Sequence, residues 1–509
     1  MTQRYIVLAI IFMVINYKFF YISFATETMT TFLYKIVIYF IIFLFMSCFI
    51  SFSRFANRIW LLLLFIFSFI IVYFINTLGI EINKQIIKNT LATNVDESLE
   101  LLGMQFTGYF SIIILLLFSI YKWGISPLQK VSLKRYVVTI FLLVSVFFMI
   151  TKIDEPKYKG IIKNDTPRIV PLSLFPAIGD YLRTKSREDK IVKKNISKYF
   201  QYKRNRSMPI VSVLVIGESA RSDRFFLNGY QRNTTPLLSI KQNLISFKNA
   251  SSCDTSTLSS VPCLMLRVGH DKFKFPVKEN SFVQIATDKG FDTYWLTLQN
   301  EDNTIHTFCE EAGECIDLHT KRYDMEVLKK FNQIVNTITK DTLIVIHTMG
   351  SHINYNNRVP AKYQKFQPLC NKAIEACERE VLNNSYDNTI YYTDIFLSEM
   401  INVLKNKNAF LLYTSDHGES LGETYLKFIQ RYGHASPYDV APKAQTEVPF
   451  ILWFSDLYEK ENFNVNDIDK TQYVSHDFIF HTMLGCAGFK GEYIDERLNL
   501  CQEKSKVQN

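Results

Sequence analysis

The sequence predicts two architectures in series: five membrane-spanning helices, then an α/β domain with a mostly parallel central sheet covered by helices. Three observations predict it. Residues 1–152 hold long runs of Ile, Leu, Phe and Val. The rest alternates short apolar runs with helix-compatible stretches, as 324–339 and 386–406. Eight of the nine cysteines follow residue 152. Continuous apolar strands alternating with helices are the pattern of a parallel sheet buried on both faces, and 509 residues leave room for two or more domains.

Crossing a bilayer takes roughly 20 apolar residues, and five segments qualify: 5–24, 32–52, 59–78, 106–122 and 136–152. Arg4 ahead of an apolar run resembles a signal peptide, but four more spans follow without a small-residue cleavage site, so the first span is read as uncleaved. Asn16, Lys18 and Lys35 lie within spans and are read as snorkelling or helix-contact residues. Arg54 and Arg58 lie between spans two and three, and Lys122, Lys130, Lys134 and Arg135 between spans four and five; residues 25–31 carry no basic side chain. The positive-inside rule then makes the N-terminus cytoplasmic and puts everything after residue 152 on the far side.

The same count places 79–102 outside, where Ile82, Ile86, Ile87 and Leu91 recur at helical spacing and suit an amphipathic helix on the membrane. Asn89, Thr93 and Glu97 share one face of it, and residue spacing alone reads that face as solvated. Residues 153–208 are rich in Lys and Arg and broken by Pro167, Pro171 and Pro176, which suggests a basic linker with a short amphipathic helix around LSLFPAIGDYL. The globular domain is taken as 209–509. The net charge of +9 comes with no nucleic-acid-binding motif, so an anionic membrane surface is the expected partner and nucleic acid is not.

Within the globular domain, apolar runs at 211–217, 293–298, 342–350, 409–416 and 448–454 read as strands. In open α/β sheets ligands gather beyond the carboxyl ends of the strands. Glu218, His347, His352, Asp416 and His417 fall at or just past such ends.

The stretch CDTSTLSSVPC (253–263) packs five hydroxyls, Thr255, Ser256, Thr257, Ser259 and Ser260, between two cysteines, directly ahead of an expected Val261-Pro262 turn. A neutral hydroxyl is a poor nucleophile until a base, a cation or a metal draws off its proton. VLVIGESARSD (213–223) and LLYTSDHGESLGE (411–423) can bring those groups. Glu218, Asp416, His417 and a threonine of this loop together form an oxygen-and-imidazole set of the kind zinc accepts. Cys253 with Cys263, Cys309 with Cys315, and Cys370 with Cys377 form close pairs, with Cys486 and Cys501 as a candidate fourth. Outside the cytoplasm such pairs read as disulfides. Zinc-thiolate coordination is the competing reading, weakened by the absence of any C-x-x-C spacing.

These residues carry a family resemblance. Gly217-Glu218-Ser219-Ala220-Arg221 with Asn228-Gly229-Tyr230, the Cys253 to Cys263 loop, His347-Thr348-Met349-Gly350-Ser351-His352, and Ser415 through Glu423 resemble the phosphoethanolamine transferases of Gram-negative bacteria. That group includes the lipid A modifying enzymes of colistin resistance, and the resemblance spans the whole chain. It implies five membrane helices ahead of an alkaline-phosphatase-like, sulfatase-like periplasmic domain in the inner membrane. It implies Thr257 as the nucleophile that becomes phosphoethanolaminylated, one tightly bound zinc held by Glu218, Thr257, Asp416 and His417 with room for a second, and disulfides at the three close cysteine pairs. The family's substrate-contacting histidines match His352 and His434. Its membrane-surface residues match Asn89, Thr93 and Glu97, which replaces the solvated reading of that face. His270, His306, His319, His476 and His481 are read as structural. The implied donor is phosphatidylethanolamine, the acceptor lipid A or lipooligosaccharide, and the chain a monomer.

The chain departs from the family at Asp254, at Ile353-Asn354, along LTLQNEDN (296–303), and in a longer stretch between Gly422 and His434. These changes spare the metal set and bear on the acceptor surface. Phosphoglycerol transfer of the lipoteichoic-acid-synthase type and transfer to another glycan or a protein are the alternatives. A catalytically dead, membrane-anchored binding module is the reading from a different class. A sulfatase is disfavoured because Cys263-Leu264-Met265-Leu266-Arg267 lacks the proline of C/S-x-P-x-R.

Overall fold

The computed structural model describes residues 2–50, 64, 66–76, 82–92, isolated positions between 108 and 152, 155–188, and 192–501 apart from 205, 300–302, 427–428, 462–464 and 466–467. Two compact units emerge, Met1–Leu182 with Thr424–Arg431, and Arg183–Glu423 with Tyr432–Asn509.

In the first unit the helix Met29–Ile50 contains a stretch, Met29–Ser47, long and apolar enough to cross a membrane. The first expected span is instead two helices, Thr2–Ile15 and Tyr17–Thr26, whose axes bend by 67°. The bend falls at Asn16, whose amide donates to Phe12 O and Val170 O, both at 2.8 Å, and accepts from Val170 N at 2.9 Å. Lys35, 6% exposed, pairs with Glu27 at 2.7 Å and Asp165 at 2.9 Å. Lys18 donates to Asn76 O at 2.7 Å. All three polar residues therefore make intramolecular contacts. The expected third span is described mainly over Ile66–Asn76. The fourth and fifth lie outside the described residues apart from isolated positions. The helix Lys84–Ala92 carries Asn89; Thr93 and Glu97 lie outside the described residues.

The amphipathic helix of the linker is Leu174–Glu188, with Phe175, Ile178 and Leu182 exposed and Ala177 buried.

The second unit is built on a seven-stranded sheet whose strands are β2 (Ile210–Gly217), β3 (Leu244–Phe247), β5 (Asp292–Thr297), β6 (Glu314–Asp317), β7 (Thr342–His347), β8 (Asn408–Ser415) and β11 (Phe450–Phe454). Their order across the sheet is β3-β11-β8-β2-β7-β5-β6. Neighbours β8, β2, β7, β5 and β6 run parallel. β11 is antiparallel to both β3 and β8, a direction that a continuous apolar run does not encode. Every residue of β2, β7 and β8 is buried, which is why these segments read as unbroken apolar runs. A fully buried Val, Leu or Ile contributes about 1.5–3 kcal/mol.

The small pairs are β1 (Phe200–Tyr202) with β13 (Phe489–Gly491) and β4 (Ala250–Ser251) with β12 (Val474–Ser475) in this unit, and β9 (Ser420–Leu426) with β10 (Ile429–Gly433), whose Thr424–Arg431 part is counted in the first unit. β1 sits upstream of the expected boundary at residue 209, and Ile196 and Phe200 belong to the core. The end of the expected linker is thus part of the globular unit. Cys253–Cys263, Cys309–Cys315, Cys370–Cys377 and Cys486–Cys501 are all bonded. Val261 and Pro262 lie inside the helix Thr257–Leu264 rather than in a turn. Proline removes one i→i−4 bond from a helix interior; here Leu258 through Leu264 are all buried and the Cys253–Cys263 disulfide ties the helix to the preceding loop.

Candidate active site

Four adjacent parallel strands, β8, β2, β7 and β5, end side by side, and polar side chains cluster beyond their carboxyl ends. Glu218 follows β2, Asp416 and His417 follow β8, His347 ends β7, and Gln299 lies just past β5. Thr257 arrives from outside the sheet as the first residue of the helix Thr257–Leu264. Its position at a helix N-terminus favours negative charge on its oxygen. Thr257 Oγ1 donates to Glu218 Oε2 at 3.1 Å and lies 3.2 Å from His417 Nε2.

The backbone carrying Glu218 is held from several sides. Ser219 adopts a left-handed φ of 56°, costly for a residue with a Cβ and retained only where the surroundings enforce it. Ser219 N donates to Asp416 Oδ1 at 3.1 Å, and Tyr386 donates to Ser219 O at 2.6 Å. Gly350 has a φ of +46°, and a Cβ there would stand 2.7 Å from Glu218 N. Only glycine lets the 347–352 loop approach the Glu218 backbone so closely.

His417 Nδ1 faces the carbonyl oxygen of Gly418 at 2.9 Å. A carbonyl only accepts, so Nδ1 carries the hydrogen and Nε2 presents a lone pair to the site. Around that lone pair lie Asp416 Oδ2 at 3.3 Å and Glu218 Oε1 at 3.5 Å. Among the described residues, Asp416 Oδ2 is buried without a hydrogen-bond partner. Glu218, Asp416 and His417 each offer a ligand atom within 4.8 Å of the others. Convergent acceptors, one of them orphaned, are the arrangement a divalent cation satisfies. The titration behaviour agrees: burial, then the Asp416 charge, pushes Glu218 up to about 7, and burial, then His434, pushes His417 down to about 4.

The two further histidines differ in charge. His434 Nδ1 donates to Glu419 Oε2 at 2.9 Å, with Glu419 wholly buried. Burial pulls the imidazolium down, but Glu419, Glu218 and Asp416 outweigh it and lift His434 to about 9. Its ring lies 4.2 Å from that of His417. His352 Nδ1 accepts from Arg358 Nη2 at 3.2 Å. Burial, then the Arg358 charge, holds His352 well below the usual imidazole value, so it is neutral with the hydrogen on Nε2. His417, Glu419 and His434 form a second set within 4.8 Å, the candidate for a second ion, although an ion pair joins two of its members.

Of the histidines read as structural, His476 accepts from Cys253 N at 3.1 Å and meets Ser415 O at 2.9 Å, tying the Cys253–Cys263 loop to β8. His481 accepts from Asp495 N at 3.1 Å, His270 Nδ1 meets Cys253 O at 2.5 Å, and His306 and His319 pair with Glu310 and Asp317. Sequence reasoning missed Glu419, Gln299, Tyr355 and Asp324. Glu419 sits two residues past His417 within the same motif, which was the available signal. Tyr355 donates to Glu419 Oε1 at 3.3 Å, and Asp324 accepts from Met349 N at 2.9 Å and Gly350 N at 3.2 Å, holding the His352 loop.

Fold and site together define a sulfatase-type enzyme: residues 211–489 match the Sulfatase family. Residues 37–186 match the family described as phosphoethanolamine transferase EptA/EptB. The chain is 30% identical over 471 residues to phosphoethanolamine transferase EptA of Escherichia coli O157:H7, covering 85% of this chain and 84% of that protein. Among solved structures, the integral membrane lipooligosaccharide phosphoethanolamine transferase A of Neisseria meningitidis superposes with a TM-score of 0.84 at 26% identity, over 97% of each chain. The zinc complex of the C-terminal periplasmic domain of EptC from Escherichia coli gives a TM-score of 0.52 at 26% identity, over 60% of this chain and 90% of that one. The chain belongs to the phosphoethanolamine transferase family, and is a transferase with a sulfatase-like catalytic domain behind an N-terminal membrane domain.

Proposed function

We propose that this enzyme moves phosphoethanolamine from phosphatidylethanolamine to lipid A or lipooligosaccharide through a phosphothreonine at Thr257. The observation that carries the reading is the meeting of Thr257 Oγ1 with Glu218 Oε2 and His417 Nε2 at 3.1 and 3.2 Å. Support for the acceptor comes from the Neisseria protein, described as a lipooligosaccharide transferase, and support for zinc from the Escherichia coli EptC complex. Glu218, Thr257, Asp416 and His417 would hold the ion, which supplies stabilisation of negative charge on the hydroxyl oxygen and on phosphate.

In the first half-reaction Thr257 Oγ attacks the donor phosphorus while its hydroxyl proton passes to Glu218 Oε2, the acceptor of its hydrogen bond. The Thr–O–P bond forms as the bond from phosphorus to the diacylglycerol oxygen breaks, and that oxygen takes a proton from His434. In the second, a phosphate or sugar oxygen of the acceptor attacks the same phosphorus and gives its proton to His434, the Thr–O–P bond breaks, and the Thr257 oxygen recovers its proton from Glu218. His434 is the cation facing phosphoryl oxygens and the proton donor to the leaving oxygen, with Glu419 holding its Nδ1–H. His352, neutral with hydrogen on Nε2, donates a hydrogen bond to phosphate. Asn89, Thr93 and Glu97 are further proposed substrate-binding residues.

The proposed enclosure is the bacterial inner membrane, with five spans over 1–152, a cytoplasmic N-terminus, a periplasmic catalytic domain and a monomeric chain. Neutralising phosphate on lipid A would reduce the attraction of cationic peptides and polymyxins. Mass spectrometry of lipid A and core oligosaccharide from cells with and without the protein tests the acceptor. Added phosphoethanolamine is expected, and an unchanged mass for both overturns that assignment.

A further inference from the structure

Gln299 stands just past the end of β5, two strands away from β2 across β7, yet its side chain reaches Glu218. Its Nε2 donates to Thr348 O at 2.8 Å and to Glu218 Oε2 at 3.3 Å. Glu218 Oε2 is also the oxygen that receives the Thr257 hydroxyl. One amide nitrogen carries two hydrogens, so these two acceptors use both.

The main chain beneath is fixed independently. Leu298 N donates to His347 O at 2.9 Å, continuing the β5 and β7 pairing by one residue. Thr297 Oγ1 then accepts from Gln299 N at 3.0 Å and donates to Gln299 O at 3.3 Å. The side chain therefore leaves a pinned backbone, is anchored by a carbonyl of the intervening strand's loop, and delivers its remaining hydrogen to the carboxylate. On the other side, Ser219 Oγ donates to Glu218 Oε1 at 2.7 Å. The two carboxylate oxygens are thus distinguished: Ser219 fixes one, and Gln299 with Thr257 fixes the other.

We infer that Gln299 is a positioning residue for Glu218, holding Oε2 toward Thr257 so that the carboxylate meets both the metal and the hydroxyl without reorienting. Partners behind metal-binding side chains fix ligand orientation, and their removal typically costs about 10–100-fold in metal affinity or activity. The inference rests on Glu218 being a metal ligand, as proposed above.

The test uses the full-length, detergent-solubilised protein and two variants, Gln299→Met, which keeps the length without the N–H groups, and Gln299→Ala, which admits water. Zinc affinity is read by chelator competition, the melting temperature on zinc-free protein, and kcat and KM on phosphatidylethanolamine. Gln299 is half-buried, so both variants are expected to fold. The expected result is zinc binding weakened about tenfold or more in both, with a lowered kcat and nearly constant KM. Wild-type zinc affinity and kcat in either folded variant overturns the inference, as does a lowered melting temperature with unchanged zinc affinity, which would make Gln299 a structural tie alone. Wild-type protein that fails to bind zinc in the same titration overturns the metal assignment of Glu218 instead, so the two failures are told apart.

Discussion

Glu419 and His434, 15 positions apart in the chain, form an ion pair of 2.9 Å, with Glu419 buried and His434 partly exposed, beside the candidate metal-binding set. Its consequence is a histidine that keeps its proton well past neutrality, with a pKa of about 9. His434 has a folded value above its unfolded one, so the stability this pair contributes is fully present below about 6.5 and is lost as pH rises through about 9. Transfer that uses the imidazolium should therefore decline at alkaline pH, around 9. In Glu419→Gln burial loses its main opposition, and the alkaline limb of the pH–rate profile should move down by more than a unit. With the wild-type value about 9, a downward move of more than a unit leaves less than about half of the imidazolium at pH 8, so activity there should fall about twofold or more. A profile for Glu419→Gln that overlays the wild type would remove His434 from the proposed proton transfer.

Asp416 presents one oxygen to backbone donors, Ser219 N at 3.1 Å and His417 N at 2.7 Å, and the other meets no donor among the described residues. An asparagine oxygen can accept the first pair of bonds, so Asp416→Asn should fold. Burial raises the Asp416 pKa, so ionisation costs the folded state stability as pH climbs through that raised value. The zinc-free variant should melt at or above the zinc-free wild type at neutral pH. Added zinc should raise the wild-type melting point and leave the variant unmoved; at 100 times Kd the gain is about 2.7 kcal/mol. Calorimetry with and without zinc distinguishes this from a purely structural carboxylate, whose loss would lower both curves.

Gly350→Ala places a Cβ 2.7 Å from Glu218 N at a left-handed φ of +46°. Backbone strain and a forced shift of the Glu218 segment should together cost about 2–4 kcal/mol. Activity should drop more than stability alone explains, because the displaced atoms carry Glu218. Denaturant titration alongside transfer assays checks this; a stable and fully active variant would mean the 347–352 loop does not help set the site.

Much of this was legible in the sequence. Glu218, Asp416 and His417 could be found because each directly follows an apolar run, and a fully buried strand shows its end as an abrupt change to polar residues. The 253–263 loop stood out for its hydroxyls between two cysteines. Other features left no such mark. The direction of β11 is invisible in an apolar run, and the 67° bend at Asn16 depends on contacts with Val170, far along the chain. Pro262 read as a turn because local propensity favours one, whereas burial and a disulfide keep it helical. Gln299 was missed because its role arises only when three strand ends lie side by side.

The covalent step is the centre of the account, and intact-protein mass spectrometry after brief incubation with phosphatidylethanolamine and no acceptor tests it most directly. The prediction is a single added phosphoethanolamine that peptide mapping assigns to Thr257 and that Thr257→Ala, still folded and still able to bind zinc, does not acquire. Transfer to acceptor by Thr257→Ala at the wild-type rate, or an adduct on any other side chain, would contradict it.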